Sequence, residues 1–207
     1  GSCQNYFFPY HLKWDGDSMK MTNAWMIAKA RQQNEMGYLI DSIGSDEFCK
    51  SMLSCMKNDF EIPVKGGILK FSHTSLLDSF DGISEMIIRR PVVEQSNTSV
   101  FFDEKFIFKI YRQVFEGQNP ELQMGRFLTE SGCFSHIARV AGAVELVRDD
   151  GTTIALGILQ EFIDNQSDSW SFTLNYLYRF FEVYLPGLPH GEGVDSPVLE
   201  NLHEGYL

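Results

Sequence analysis

Apolar and polar positions alternate with a period of two in several short runs, and one run carries an informative interruption. Residues 100–102 and 106–111 are β-branched or aromatic, and Asp103, Glu104 and Lys105 form a polar break of hairpin length between them. On the second run the strand period puts Phe106, Phe108 and Ile110 on one face and Ile107, Lys109 and Tyr111 on the other. A lysine so placed either snorkels at a solvated sheet edge or is held in a cleft. Upstream, Gln95, Ser96, Asn97, Thr98 and Ser99 form a loop rich in hydroxyls and amides. Downstream, Asn119, Pro120 and Glu121 open a helix, with proline suited to its first turn and an acid near its positive end.

The same patterning extends in both directions. Residues 140–147 and 153–162 flank Arg148, Asp149, Asp150 and Gly151, and Asp-Gly is a tight-turn signal for a second hairpin. Beyond a polar break at 164–169, where Asp168 or Ser169 suits a cap, residues 170–182 read as an aromatic-rich helix. Toward the N-terminus, Ser45 starts a helix through Met52, Leu53 and Met56, and Gly66-Gly67 turns the chain into a strand at 68–71. Met86, Ile87 and Ile88 predict another strand. The segment from Ala24 to Ala30 is open to two readings, a helix capped by Thr22 or Asn23 or a strand. Phe127 and Leu128 are expected in the core. The predicted class is α+β.

Charge narrows the partners. Seventeen basic against 28 acidic side chains leave a formal net charge of −11, which repels phosphate backbones and argues against nucleic acid. A bound nucleotide would therefore depend on locally placed cations or Mg²⁺. No apolar run reaches membrane-spanning length, no leader is evident, and a cytoplasmic setting without a membrane partner is expected. Cys3, Cys49, Cys55 and Cys133 lack CxxC or metal-ligand spacing and read as reduced thiols.

Several motifs then stand together: EQSNTS at 94–99, FKIYR at 108–112, NPELQMGRFLTE at 119–130, AGAVEL at 141–146 and LQEFIDNQSDSWSFTL at 159–174. In this order they resemble the small lobe of bacterial maltokinases, which have a protein-kinase-like fold and often occur fused to trehalose synthase. The resemblance spans residues 92–177, with a weaker similarity at 66–71. It implies three parts: a cap subdomain at 1–90, an ATP-binding small lobe at 91–163, and the start of a large lobe at 164–207. It also implies ATP with Mg²⁺ as cofactors and maltose as substrate of the complete enzyme. A trehalose synthase domain or self-association is the further partner to consider.

By the resemblance Lys109 holds nucleotide phosphates, Gln95, Ser96, Asn97, Thr98 and Ser99 cover them, and Ile107 lies beside the nucleotide. Gln160, Glu161, Phe162 and Ile163 fall where kinase-like folds meet the adenine edge. The family's usual acid partner for the lysine sits where this chain has Gln123, so either Glu121 substitutes or the clamp is weakened. His190, Gly191 and Glu192 are only superficially similar to the family's His-Gly-Asp loop, and Pro197 stands where a metal-binding Asn belongs. No catalytic or metal-binding residue is therefore assigned, and the chain is expected to be inactive alone. The alternative is a non-catalytic partner-binding module associated with a trehalose synthase.

Overall fold

A computed structural model of the chain describes residues 4–14, 23–78, 80–91, 97–164 and 169–184. Contacts divide the chain into two compact units, Gly1–Ile163 and Asp164–Leu207. The fold is α+β, with four α-helices and antiparallel strand pairing among the described residues.

The first unit begins with β1 (Asn5–Tyr6) and a three-stranded sheet of β2 (Tyr10–Trp14), β3 (Met26–Gln32) and β4 (Glu35–Asp41), ordered β2-β4-β3. The ambiguous segment at 24–30 is mainly a strand. A 3₁₀ turn covers residues 23–25 and β3 takes over at Met26. Ser45 then caps α1 (Asp46–Lys57), its hydroxyl accepting from the Phe48 N–H at 3.3 Å, with Asp46 and Glu47 at the positive end. Cys49, Met52, Leu53 and Met56 recur at helical spacing and are buried.

A seven-stranded sheet occupies the rest of this unit. Its strands are β5 (Glu61–Val64), β6 (Gly67–His73), β7 (Ile88–Arg89), β8 (Asn97–Phe102), β9 (Phe106–Tyr111), β11 (Val140–Arg148) and β12 (Thr153–Glu161), with the short α2 (Ser75–Asp78) after β6. Strand β10 (Gln113–Val114) pairs instead with β1, and α3 (Pro120–Ser131) follows it. The sheet order is β5-β6-β11-β12-β9-β8-β7. Of the strand expected at 86–88 only Ile88 lies in β7, which continues to Arg89. Both predicted hairpins form, and Gly151 supplies the left-handed residue of the second, at φ 83°.

Strands β5 and β6 join this sheet directly through β11, from Gly142 opposite His73 to Arg148 opposite Gly67. The expected division of 1–90 from 91–163 thus runs through one continuous sheet. The single core includes Leu53 and Met56 from α1, Phe71 from β6, Phe102 and Phe108 from the first hairpin, and Val144 and Leu159 from the second.

The core expectation for α3 needs correcting. Phe127 is 62 % exposed and Leu128 only half-buried. The helix meets the sheet through Leu122, Gly125, Arg126 and Thr129, the i, i+3, i+4, i+7 series. A side chain on Gly125 would meet Val140 Cγ2 at 2.6 Å, so close approach of a small residue replaces a large apolar anchor there.

The second unit contains α4 (Ser169–Tyr184), as its aromatic pattern predicts. Phe180 stacks on Tyr184 at 4.5 Å between ring centres and meets Phe181 edge-on. No helix among the described residues is long and apolar enough to cross a membrane.

Candidate functional site around Lys109

In antiparallel pairing, residues directly opposite one another share a face. Register therefore places Ser72, Ala143, Ile158, Lys109 and Ser99 in one row across five strands. A neighbouring row on the same face runs Val140, Gln160, Ile107, Phe101 and Arg89. Helix α3 lies against this face. Its Arg126 donates to Ser72 Oγ and, at 3.1 Å, to Glu145 Oε2, while Thr129 Oγ1 accepts from the Val140 N–H at 2.9 Å.

The helix starts where the sequence says it should. Asn119 caps it by accepting from the Leu122 N–H at 3.1 Å, and Pro120 occupies the first turn, where no amide donor is needed. That start puts Glu121 over the sheet. Lys109 Nζ lies 2.9 Å from both Glu121 carboxylate oxygens. Tyr111, two residues along the same strand face, donates its hydroxyl to Glu121 Oε2 at 2.8 Å. Burial pushes the Tyr111 phenol pKa well up and the adjacent Glu121 charge adds to it, so the phenol stays a donor. Glu121 is held by two donors on one side, and the ammonium keeps 30 % of its side-chain surface exposed.

Of the lysine's two candidate partners, Glu121 and Gln123, Glu121 is in contact. Gln123 lies exposed, and its N–H donates to the Asn119 carbonyl at 2.9 Å as part of the helix start. The roughly 200° between these positions on a helix explains why only one can reach the strand.

The loop expected at 95–99 falls partly outside the described residues, and its described part is a strand. Gln95 and Ser96 lie outside the described residues, whereas Asn97, Thr98 and Ser99 belong to β8 rather than to a loop. They pair with Tyr111, Ile110 and Lys109 respectively. Asn97 and Ser99 share the lysine's face. Thr98 points to the other side, where its hydroxyl accepts from Arg112 Nε at 2.8 Å. Thr98 is thus committed to a structural contact: the same guanidinium also pairs with Asp41. His190, Glu192 and Pro197 also lie outside the described residues.

At the far end of β12, Ile107 and Gln160 are neighbours across strands and Phe101 lies beyond Ile107. Phe162 meets Phe101 edge-on, with ring centres 6.0 Å apart. Two features there differ from the sequence expectation. The Glu161 N–H donates to the Arg139 carbonyl at 2.8 Å and the Phe162 N–H to the Lys105 carbonyl at 2.7 Å, so both amides are already used. The Glu161 carboxylate is gripped by Arg139 at 2.8 and 2.7 Å, a hydrogen-bonded pair that lowers its pKa. Ile163 ends the first unit.

Sequence reasoning missed Tyr111 and Arg139 as members of this neighbourhood. Tyr111 had a usable signal, since it shares the strand face of Lys109 with period two. Arg139 had none, because its partner comes from a strand 22 residues away.

No protein-family model matches the chain. No group of three or more His, Cys, Asp or Glu side chains able to hold a metal ion occurs among the described residues.

Proposed function

We propose that the first unit is the nucleotide-binding part of a phosphotransferase resembling the maltokinases, with Lys109 holding the phosphates of ATP. One observation carries this reading: a central-strand lysine is ion-paired with an acid of the helix that follows it. Protein kinases use that pairing, between a third-strand lysine and a helix glutamate, to aim the ammonium at phosphate oxygens. The surroundings suit the assignment. Ser99 stands beside Lys109 in the same row, and Phe101 and Ile107 offer an apolar, half-buried surface for a base.

The whole reaction under this reading moves the γ-phosphoryl of ATP to the anomeric hydroxyl of maltose. Mg²⁺, bound with the nucleotide, would neutralise charge developing on the transferred group. The role of the residues described here is narrower: Glu121 and Tyr111 fix the lysine, and the lysine fixes the phosphates. At the adenine edge, the Gln160 to Ile163 segment contributes carbonyls and the Ile163 amide, since the Glu161 and Phe162 amides are occupied.

Isothermal titration with Mg²⁺–ATP tests this. Saturable binding that weakens at least about tenfold in Lys109→Ala is expected, the loss of one charge-assisted contact. Equal affinity in the variant, or no binding to the unsubstituted chain, contradicts the reading.

A second reading, a non-catalytic module that docks a trehalose synthase domain or a second copy, draws on α3. Met124 and Phe127, three residues apart on one helix side, are 58 % and 62 % exposed. Absence of ATP binding together with a stable dimer in sedimentation would favour it.

A further inference from the structure

A sheet edge is a row of unpaired backbone donors and acceptors, and proteins usually blunt it. Both outer strands of the seven-stranded sheet are blunted: β7 has two residues, and β5 carries Pro63, which lacks the N–H. The three-stranded sheet ends differently. Its outer strand β3 runs for seven residues without proline or glycine, and no described strand pairs with its free side. Gln32 and Glu35 close a two-residue turn, with Gln33 at φ 54°. The closing pair of such a turn is hydrogen-bonded, and bonded pairs alternate from it along an antiparallel ladder. Gln32, Ala30 and Ala28 therefore bond to β4, whereas the N–H and C=O of Lys29 and Arg31 point out from the edge. A bulge between Met26 and Ala28 bounds this regular stretch.

The two faces of the edge ask for different neighbours. Lys29 lies across from Tyr38, which lies across from Lys13, and Arg31 shares their face beside Met36. None of Lys13, Lys29 and Arg31 has a carboxylate partner among the described residues, although the chain's net charge is −11. Arg31 Nε donates to the Gln33 carbonyl in its own turn, at 3.0 Å. Ala28 and Ala30 occupy the opposite face, with Leu39 and Gly37 behind them. The Trp14 ring covers Gly37, where a Cβ would lie 2.7 Å from it. Small side chains at the edge, backed by Leu39 and Trp14, leave an apolar ledge. A second copy pairing its β3 with this one about a two-fold axis would set the cations of the two copies against each other.

We infer that β3 is a docking edge for an extended segment of a partner protein in which acidic and apolar residues alternate, added to the sheet as a fourth strand. The outward groups of Lys29 and Arg31 supply the backbone hydrogen bonds of such strand addition. Strand period two then places the acids beside Lys29 and Arg31, and the apolar residues on the ledge beside Ala28 and Ala30. Edge cations that repel a like strand thus select an acidic one. The inference does not depend on the nucleotide reading, because this sheet shares no strand with the one that carries Lys109.

The test titrates the ¹⁵N-labelled chain with an octapeptide that alternates valine with glutamate. The comparison peptide has the same composition, with its valines in one block and its glutamates in another. The alternating peptide should bind saturably and slow hydrogen exchange of the Lys29 and Arg31 amides. The double variant Lys29→Glu, Arg31→Glu should weaken that binding at least about tenfold, the loss of two facing charge pairs. It should also bind the peptide with lysine in place of glutamate better than the unsubstituted chain does. Both residues are exposed, so the variant leaves the core untouched, and the dispersion of its spectrum checks folding. Absence of binding, equal affinity for the block peptide, unchanged affinity in the folded variant, or protection of other amides instead would each overturn the inference. So would a dimer built on β3 that excludes the peptide. The variant keeps Lys109 and Glu121, so the peptide result stands apart from any ATP result.

Discussion

The phenol oxygen of Tyr111 stands 2.8 Å from Glu121 Oε2, on the carboxylate that also receives Lys109. Strand and helix are thereby tied by two donors to one acid. The carboxylate cannot swing out without taking the acceptor away from the O–H of a largely buried tyrosine, so Tyr111 acts through Glu121 to hold the lysine in place.

Tyr111→Phe should cost about 1 kcal/mol of stability, the net value of one such hydrogen bond, measured by urea unfolding. It should also lower ATP affinity by less than Lys109→Ala does, because the ammonium and its acid partner remain. By contrast, the Lys109–Glu121 pair is 30 % and 38 % exposed, and a double-mutant cycle should give a coupling below about 1 kcal/mol. A large loss of stability in Glu121→Gln would show the pair to be mainly structural.

Gly67→Ala should destabilise the whole first unit. A Cβ there would lie 2.2 Å from the Val147 carbonyl oxygen, a backbone atom with no room to yield, and the cost should be about 1–3 kcal/mol. Since β6 pairs along its length with β11, calorimetry should show one transition moving to lower temperature. A separate early transition for residues up to 90 would mean that the continuous sheet is not one cooperative unit.

His73 gives a pH signature. Both ring nitrogens lie 2.9 Å from carboxylate oxygens, of Asp59 and Asp78. Burial works against the charged ring, but the hydrogen bonds and charges of the two aspartates outweigh it and raise the pKa above the usual 6.5. A raised folded-state pKa contributes stability that is fully present below the unfolded value and disappears as pH rises through the folded value. Urea midpoints should therefore fall as the pH rises above the ordinary histidine value of about 6.5. The fall should be smaller in His73→Gln, and an identical pH profile in that variant would contradict the assignment.

What the sequence made legible follows from how local each signal is. The strand period put Lys109 opposite the Phe108 face, and Asn119-Pro120-Glu121 located the helix start to the residue, because hydrogen bonds of nearby groups determine both. Such reasoning fails where long-range pairing decides. The incorporation of β5 and β6 into the main sheet depends on register with β11, about 75 residues later, which no local pattern encodes. Thr98 looked like a phosphate-facing hydroxyl until Arg112 and Asp41 claimed its face. Phe127 reads as core by hydrophobicity alone, but the small Gly125 lets the helix dock through its other side.

The central claim is that the Lys109 ammonium meets the phosphates of ATP, and proximity labelling tests it most directly. An acyl phosphate of ATP, a mixed anhydride on the terminal phosphate, acylates a lysine amine beside the phosphates: the amine nitrogen forms the amide as the acyl C–O bond breaks, and ATP leaves with the amine proton released to solvent. Mass mapping should find Lys109 as the modified residue, with labelling suppressed by excess ATP. Label spread over surface lysines such as Lys29 and Lys70, insensitive to ATP and sparing Lys109, would contradict the account.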